Sequence, residues 1–139
     1  MKLQLVTLTG LKMDDDVYEI VIPTSSGEIA VYPGHEPLVT VAVPGVLSVR
    51  RNKSDNESAV EVFAINGGVV EINTERVRIL VDDADNSEDI VAAEAEKALE
   101  LAKKQKASAK DAVELEKAQA MIDRSAVRLK VAGLRRHKR

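Results

Sequence analysis

The sequence predicts an N-terminal antiparallel β-sandwich or barrel followed by a C-terminal antiparallel two-helix hairpin, and two observations carry that reading. From Lys2 to Val81 apolar residues recur with a period of two, broken every few residues by turn formers, as in a small all-β domain. From Ser87 onward Ala, Glu, Lys and Leu dominate and the apolar period lengthens to three and four, as in helices. The texture changes at Asp82 to Asn86, which divides the chain into residues 1–85 and 86–139.

In the first part, Tyr18, Ile20 and Ile22 share one strand face opposite Val17, Glu19 and Val21. Val60, Val62 and Ala64 oppose Glu61, Phe63 and Ile65, while Val77, Ile79 and Val81 oppose Arg78 and Leu80. Each strand thus has one face fit for a core. Turns are expected at Asp14 to Asp16, Pro23 to Gly27, Pro33 to Pro37, Pro44-Gly45, Asn52 to Glu57 and Asn66-Gly67-Gly68, because these residues fix φ or tolerate positive values. Gly67-Gly68 reads as a tight strand connection and not as a phosphate cradle, since no helix follows it.

In the second part, a first helix is expected from Ser87 to about Lys106, with Glu88 and Asp89 at its positive end and a stripe of Val91, Ala95, Ala98 and Ala102. A second helix is expected after Ser108, with Ser108 and Asp111 as a box-like cap and a seam of Leu115, Ala118, Ile122, Ser125, Leu129 and Ala132. Alanine-rich stripes bury little area, so the hairpin is expected to be marginally held and able to leave its resting position.

Composition narrows the function. Only Tyr18, Tyr32 and Phe63 are aromatic and tryptophan is absent, which leaves an aliphatic core and no stacking platform for single-stranded nucleic acid. Cysteine is absent and His35 and His137 are the only imidazoles, which excludes disulfides, thiol catalysis, thiolate zinc and histidine-rich metal sites. The start MKLQLVTLTG alternates polar and apolar residues, unlike a secretory signal, and no apolar run approaches the roughly 20 residues that span a bilayer. Nothing marks His35 as a catalytic base, because spacing fixes no nucleophile or carboxylate beside it. Asp14-Asp15-Asp16 and Asp82-Asp83 fall at expected turns, where solvated carboxylates are ordinary. No catalytic, cofactor or metal site is expected.

Charge is segregated. Residues 1–86 hold 7 basic and 14 acidic side chains, residues 87–139 hold 13 and 9, and Arg124 to Arg139 holds seven basic residues and no acid. Such a tail suits an acidic protein partner; nucleic acid is disfavoured because no aromatics interleave the basic residues and the rest of the chain repels phosphate.

Two stretches then stand out: TSSGEIAVYPGHEPLVTVAVPGVLSV from Thr24 to Val49 and FAINGGVVEINTERVRILVDDA from Phe63 to Ala84. Gly27-Glu28, Pro33-Gly34-His35-Glu36-Pro37-Leu38 and Pro44-Gly45-Val46-Leu47, followed in order by the second block, resemble the ATP synthase epsilon subunit family. The resemblance is strong to about Ala84 and continues by pattern and charge beyond it.

The resemblance implies a non-catalytic subunit of the rotating central stalk of an F-type, bacterial-type ATP synthase. Such a subunit joins the gamma subunit to the c-subunit ring on the cytoplasmic face of the cell membrane and touches the membrane only through the complex. It implies that Glu28, Tyr32 and His35 contact the c ring. It also implies that the hairpin extends along gamma to block ATP hydrolysis, with Arg124, Arg128, Lys130, Arg135 and Arg136 meeting an acidic segment of the catalytic beta subunits. Some members of the family bind ATP through Ile/Leu-Asp-x-x-Arg-Ala, and the stretch brought into register, Val113-Glu114-Leu115-Glu116-Lys117-Ala118, keeps only the alanine. Glu114 lengthens the acceptor and Lys117 loses the planar fork, so Val113, Glu114, Lys117 and Ala118 form a degenerate motif with weak or absent binding expected. The competing reading is a free-standing sandwich that binds another acidic protein. The lack of an Arg-rich, acid-poor presequence favours a bacterial origin over a mitochondrial one.

Overall fold

The computed structural model describes the backbone of residues 1–138 and the side chains of residues 1–134. Ten strands precede two helices: β1 (Lys2–Thr7), β2 (Gly10–Asp16), β3 (Glu19–Thr24), β4 (Gly27–Val31), β5 (Leu38–Ala42), β6 (Gly45–Arg50), β7 (Glu61–Ile65), β8 (Gly68–Ile72), β9 (Arg76–Val81), β10 (Ala84–Asn86), α1 (Ala92–Ala107) and α2 (Ala112–Lys138). The strands form one bent sheet in the order β10-β7-β6-β3-β5-β8-β9-β1-β2, with β4 on β3. Between β3 and β5 the ladder narrows to the single pair Thr24–Ala42, and there the sheet folds into two layers, so the expected sandwich-plus-hairpin class holds.

The core between the layers is aliphatic: Leu3, Leu5, Ile20, Ile22, Leu47, Val49, Val70, Val77 and Ile79 are wholly buried. Alternation puts these side chains inside, each stabilising by about 2 kcal/mol through burial. One pairing departs from the antiparallel expectation, since β1 runs parallel to β9, from Lys2–Arg76 to Val6–Leu80. No hairpin joins these two strands, so no short connection dictates their relative direction.

Three local expectations are corrected. Asp14 to Asp16 do not form a turn; they extend β2, which pairs with β1 from Asp16–Lys2 to Gly10–Thr7, and the reversal falls at Leu8-Thr9, where the Thr7 hydroxyl donates to the Gly10 carbonyl (3.2 Å) and lies 3.0 Å from that of Thr9. The first helix does not begin at Ser87. Ser87–Asp89 is a single 3-10 turn capped by Asn86, and Ile90 is extended and wholly buried; anchoring that side chain delays the helix to Ala92 and leaves Val91 half exposed. Ser108 does not start the second helix either. Its hydroxyl donates back to the Lys104 and Gln105 carbonyls, closing α1, while Asp111 accepts the Glu114 N–H at 2.8 Å.

Strand β7, EVFAI, positions the hairpin because it is buried on both faces. Phe63 and Ile65 enter the sandwich core; Val62 and Ala64 face outward and meet Ile90, Val131 and Ala132, flanked by Val46, Val60, Val127 and Leu134. The C-terminal half of α2 therefore carries the docking. Along the interhelical seam Ala95, Ala102, Ala118 and Ser125 are buried, but Leu115 is 45% exposed, so the buried seam does not extend to that expected position.

Candidate functional site

Three surface regions bear on function, and the first is one that the sequence reading did not single out. On the outer face of the β5-β8-β9-β1-β2 layer, ladder register sets Val41 beside Val69, Val69 beside Leu80, Leu80 beside Val6 and Val6 beside Leu11. This apolar row crosses five strands, about 19 Å at the usual strand spacing. Its members Val41, Val69, Leu80 and Leu11 are 54%, 41%, 39% and 57% exposed. The adjacent row reads Val39, Glu71, Arg78, Gln4 and Asp14; Arg78 stands 3.9 Å from Glu71 and donates to Gln4 at 3.3 Å. An exposed apolar row bordered on one side by the Arg78–Glu71 pair has the composition suited to a protein contact.

The second region holds the loop residues. Glu28 is exposed near the β3–β4 turn, where the Thr24 hydroxyl donates to the Gly27 carbonyl at 2.5 Å and Gly27 takes a φ of 110° that L side chains resist. Tyr32 and His35 lie together past the far end of β4, with the His35 N–H on the Tyr32 carbonyl at 3.2 Å and His35 Nδ1 2.7 Å from the Glu36 carbonyl. Four residue steps along β4, about 13 Å, separate Glu28 from Tyr32, so the trio is not one cluster.

The Tyr32 hydroxyl donates to Glu19, whose other oxygen takes Arg50 Nε at 3.3 Å. The tyrosine bond, then Arg50, hold the Glu19 carboxyl below the usual range against the opposing effect of burial, and the same bond raises the Tyr32 phenol. Because the folded state binds the Glu19 proton more weakly than the unfolded state, this stabilisation is complete at neutral pH and is lost as pH falls through the carboxylate range. Urea midpoints followed from pH 7 to about pH 3 should therefore fall less steeply for Glu19→Gln than for the parent chain; parallel curves would remove the linkage.

The third region is the basic face of α2. Arg124 Nε stands 3.5 Å from Asp83 and Arg128 Nη1 3.8 Å from Asp85. Asn66 also approaches Asp83, at 3.5 Å, and Arg128 Nε is buried with no hydrogen-bond partner. Lys130 is exposed; the side chains of Arg135 and Arg136 lie outside the described residues. Of the degenerate motif, Val113, Glu114 and Lys117 are exposed and Ala118 is buried in the helix seam. Glu114 accepts the Lys110 N–H at 2.9 Å, a capping task that accounts for its place at the start of α2. Among the described residues no group of acidic or histidine side chains is arranged to hold a metal ion, and no helix is long and apolar enough to cross a membrane.

Sequence reasoning missed the apolar row, although Leu80 opposite the core-facing Ile79 was its visible signal. It also missed Asp83 and Asp85 as partners of the arginines.

A two-layer sandwich with an exposed apolar row on its outer face and a docked helical pair defines a class, and residues 1–87 match the family model described as ATP synthase, Delta/Epsilon chain, beta-sandwich domain. The chain is 34% identical over 137 residues to the ATP synthase epsilon chain of Chloroflexus aggregans, covering 99% of this chain and 95% of that one. It is 35% identical over 121 residues to the epsilon chain of Neisseria meningitidis serogroup B, covering 86% and 84%. A chain of the Euglena gracilis mitochondrial ATP synthase OSCP/F1/c-ring assembly superposes with a TM-score of 0.77 at 26% identity, covering 94% of this chain and 79% of that one. This chain belongs to the ATP synthase epsilon family.

Proposed function

We propose that the chain is a non-catalytic coupling element of the rotor: the sandwich transmits rotation of a proton-driven c ring to gamma, and the hairpin restrains ATP hydrolysis. The observation that carries this reading is the apolar row from Val41 to Leu11, on the layer remote from the docked hairpin. An adaptor that passes torque needs a stiff body with separate attachment faces. A sandwich whose strands are cross-paired over a wholly buried core supplies the stiffness, the apolar row supplies the gamma face, and the loops bearing Glu28, Tyr32 and His35 supply the c-ring face. The restraining contacts with acidic segments of the beta subunits fall to Arg124, Arg128, Lys130, Arg135 and Arg136. In this reading the chain sits at the cytoplasmic face of a bacterial cell membrane, held there only by its complex.

Ending the chain before Ser87 separates the two roles. In the assembled enzyme the shortened chain should still enter the complex and should raise ATP hydrolysis several-fold, as removal of one or two kcal/mol of restraint would. Unchanged hydrolysis would remove the restraint from the account, and failure to assemble would remove the sandwich as the attachment body.

A further inference from the structure

The two ion pairs between α2 and the sandwich share one geometric origin. Arg124 and Arg128 are four residues apart on α2, a rise of about 6 Å. Asp83 and Asp85 are two residues apart where the chain enters and runs along β10, a rise of about 6.6 Å. The two spacings match and run in the same direction, so in one docked register Arg124 meets Asp83 at 3.5 Å and Arg128 meets Asp85 at 3.8 Å. A slip of one helical turn would leave only one arginine opposite a carboxylate.

The rest of the docking contact is small. Two of the five residues buried in it, Ala64 and Ala132, are alanines, so modest charge pairs act on an apolar contact that is itself small. The docked pose also carries a built-in weakness, since Arg128 Nε is buried without a hydrogen bond and regains water when the helix leaves.

We propose that Asp83 and Asp85 form an electrostatic latch that sets how often the hairpin leaves the sandwich. While it is closed, it occupies the two arginines that an acidic partner would recruit. The latch is a property of the isolated chain; only its consequence for hydrolysis rests on the function proposed above. A partner's carboxylates must displace the chain's own pair, so the strength of the latch sets the threshold for release.

Hydrogen exchange on the full chain tests this at low ionic strength. In Asp83→Asn/Asp85→Asn the shape is kept and the charge removed, and amides of Ile122 to Val131 should exchange about tenfold faster, each exposed pair contributing about two- to fourfold. Amides of Leu3 to Val81 serve as the internal control for folding. The swapped chain, Asp83→Arg/Asp85→Arg with Arg124→Asp/Arg128→Asp, should return to near the parental rate, and at about 1 M salt the parent and the double variant should converge. Asp82→Asn, which removes a neighbouring exposed charge, should leave the rates within about twofold of the parent.

Parental exchange in the double variant would overturn the latch, as would an equal effect from Asp82→Asn, which would make the cause net charge. In the assembled enzyme the double variant should hydrolyse ATP more slowly. Faster exchange with unchanged hydrolysis would uphold the latch and remove the inhibitory role of the hairpin.

Discussion

Replacing Gly68 by alanine is expected to destabilise the chain by about 3 kcal/mol or more. A Cβ at this position would lie 1.9 Å from the Leu80 carbonyl oxygen and 2.8 Å from the Val81 Cα, both backbone atoms of the neighbouring strand. Neither side can yield cheaply, because Gly68 is paired with Val81 on one side and Ala42 on the other. Relief must therefore break ladder hydrogen bonds in the layer that carries the apolar row. Gly67→Ala is the matched comparison: its Cβ would lie 3.4 Å from the Ala42 carbonyl, a contact that small adjustments absorb. Denaturant midpoints of the two variants should differ widely, and a Gly68→Ala chain as stable as the parent would mean that β8 and β9 are not packed as described.

The second large effect is on assembly rather than stability. Val69→Asp and Leu80→Asp place charge in the middle of the apolar row. Both side chains point outward, at 41% and 39% exposure, so the sandwich should stay folded. Burying an unpaired carboxylate against an apolar partner costs several kcal/mol, so affinity for gamma should fall about 100-fold or more, each 1.4 kcal/mol being a factor of ten. Leu101→Asp, at a position on α1 that is 52% exposed, should bind gamma as the parent does. Equal binding by all three variants, measured by competition against the parental chain, would move the interface elsewhere.

Most of the fold is legible in the sequence because binary pattern is local. Alternation over Lys2 to Val81 and the alanine-rich stripes after Ser87 reveal the class directly. The misread segments are those where a distant contact outweighs local preference. Asp14 to Asp16 look like turn formers, yet β1 supplies a ladder partner for every one of them. Ser87 to Asp89 carry helix-start chemistry, yet the buried Ile90 holds the backbone extended until Ala92. The parallel β1–β9 pair has no signature at all, since neither strand's residues encode direction.

The candidate surfaces were less legible for the same reason. Val6, Leu11, Val41, Val69 and Leu80 each look like an isolated outward apolar residue, and only the register of five strands aligns them. Arg124 and Arg128 were visible as basic residues, whereas their partners Asp83 and Asp85 sit in a stretch that reads as a solvated acidic turn until the helix folds back on it.

Site-directed cross-linking in native membranes tests the central claim most directly, and the absence of cysteine from the chain makes it clean. A single cysteine introduced at Val69 and carrying a short photoactivatable linker should capture gamma, and one at Glu28 should capture a c subunit. Capture of neither stalk subunit from Val69, with the chain present in the complex, would contradict the assignment of the apolar row as the face that joins this sandwich to the shaft.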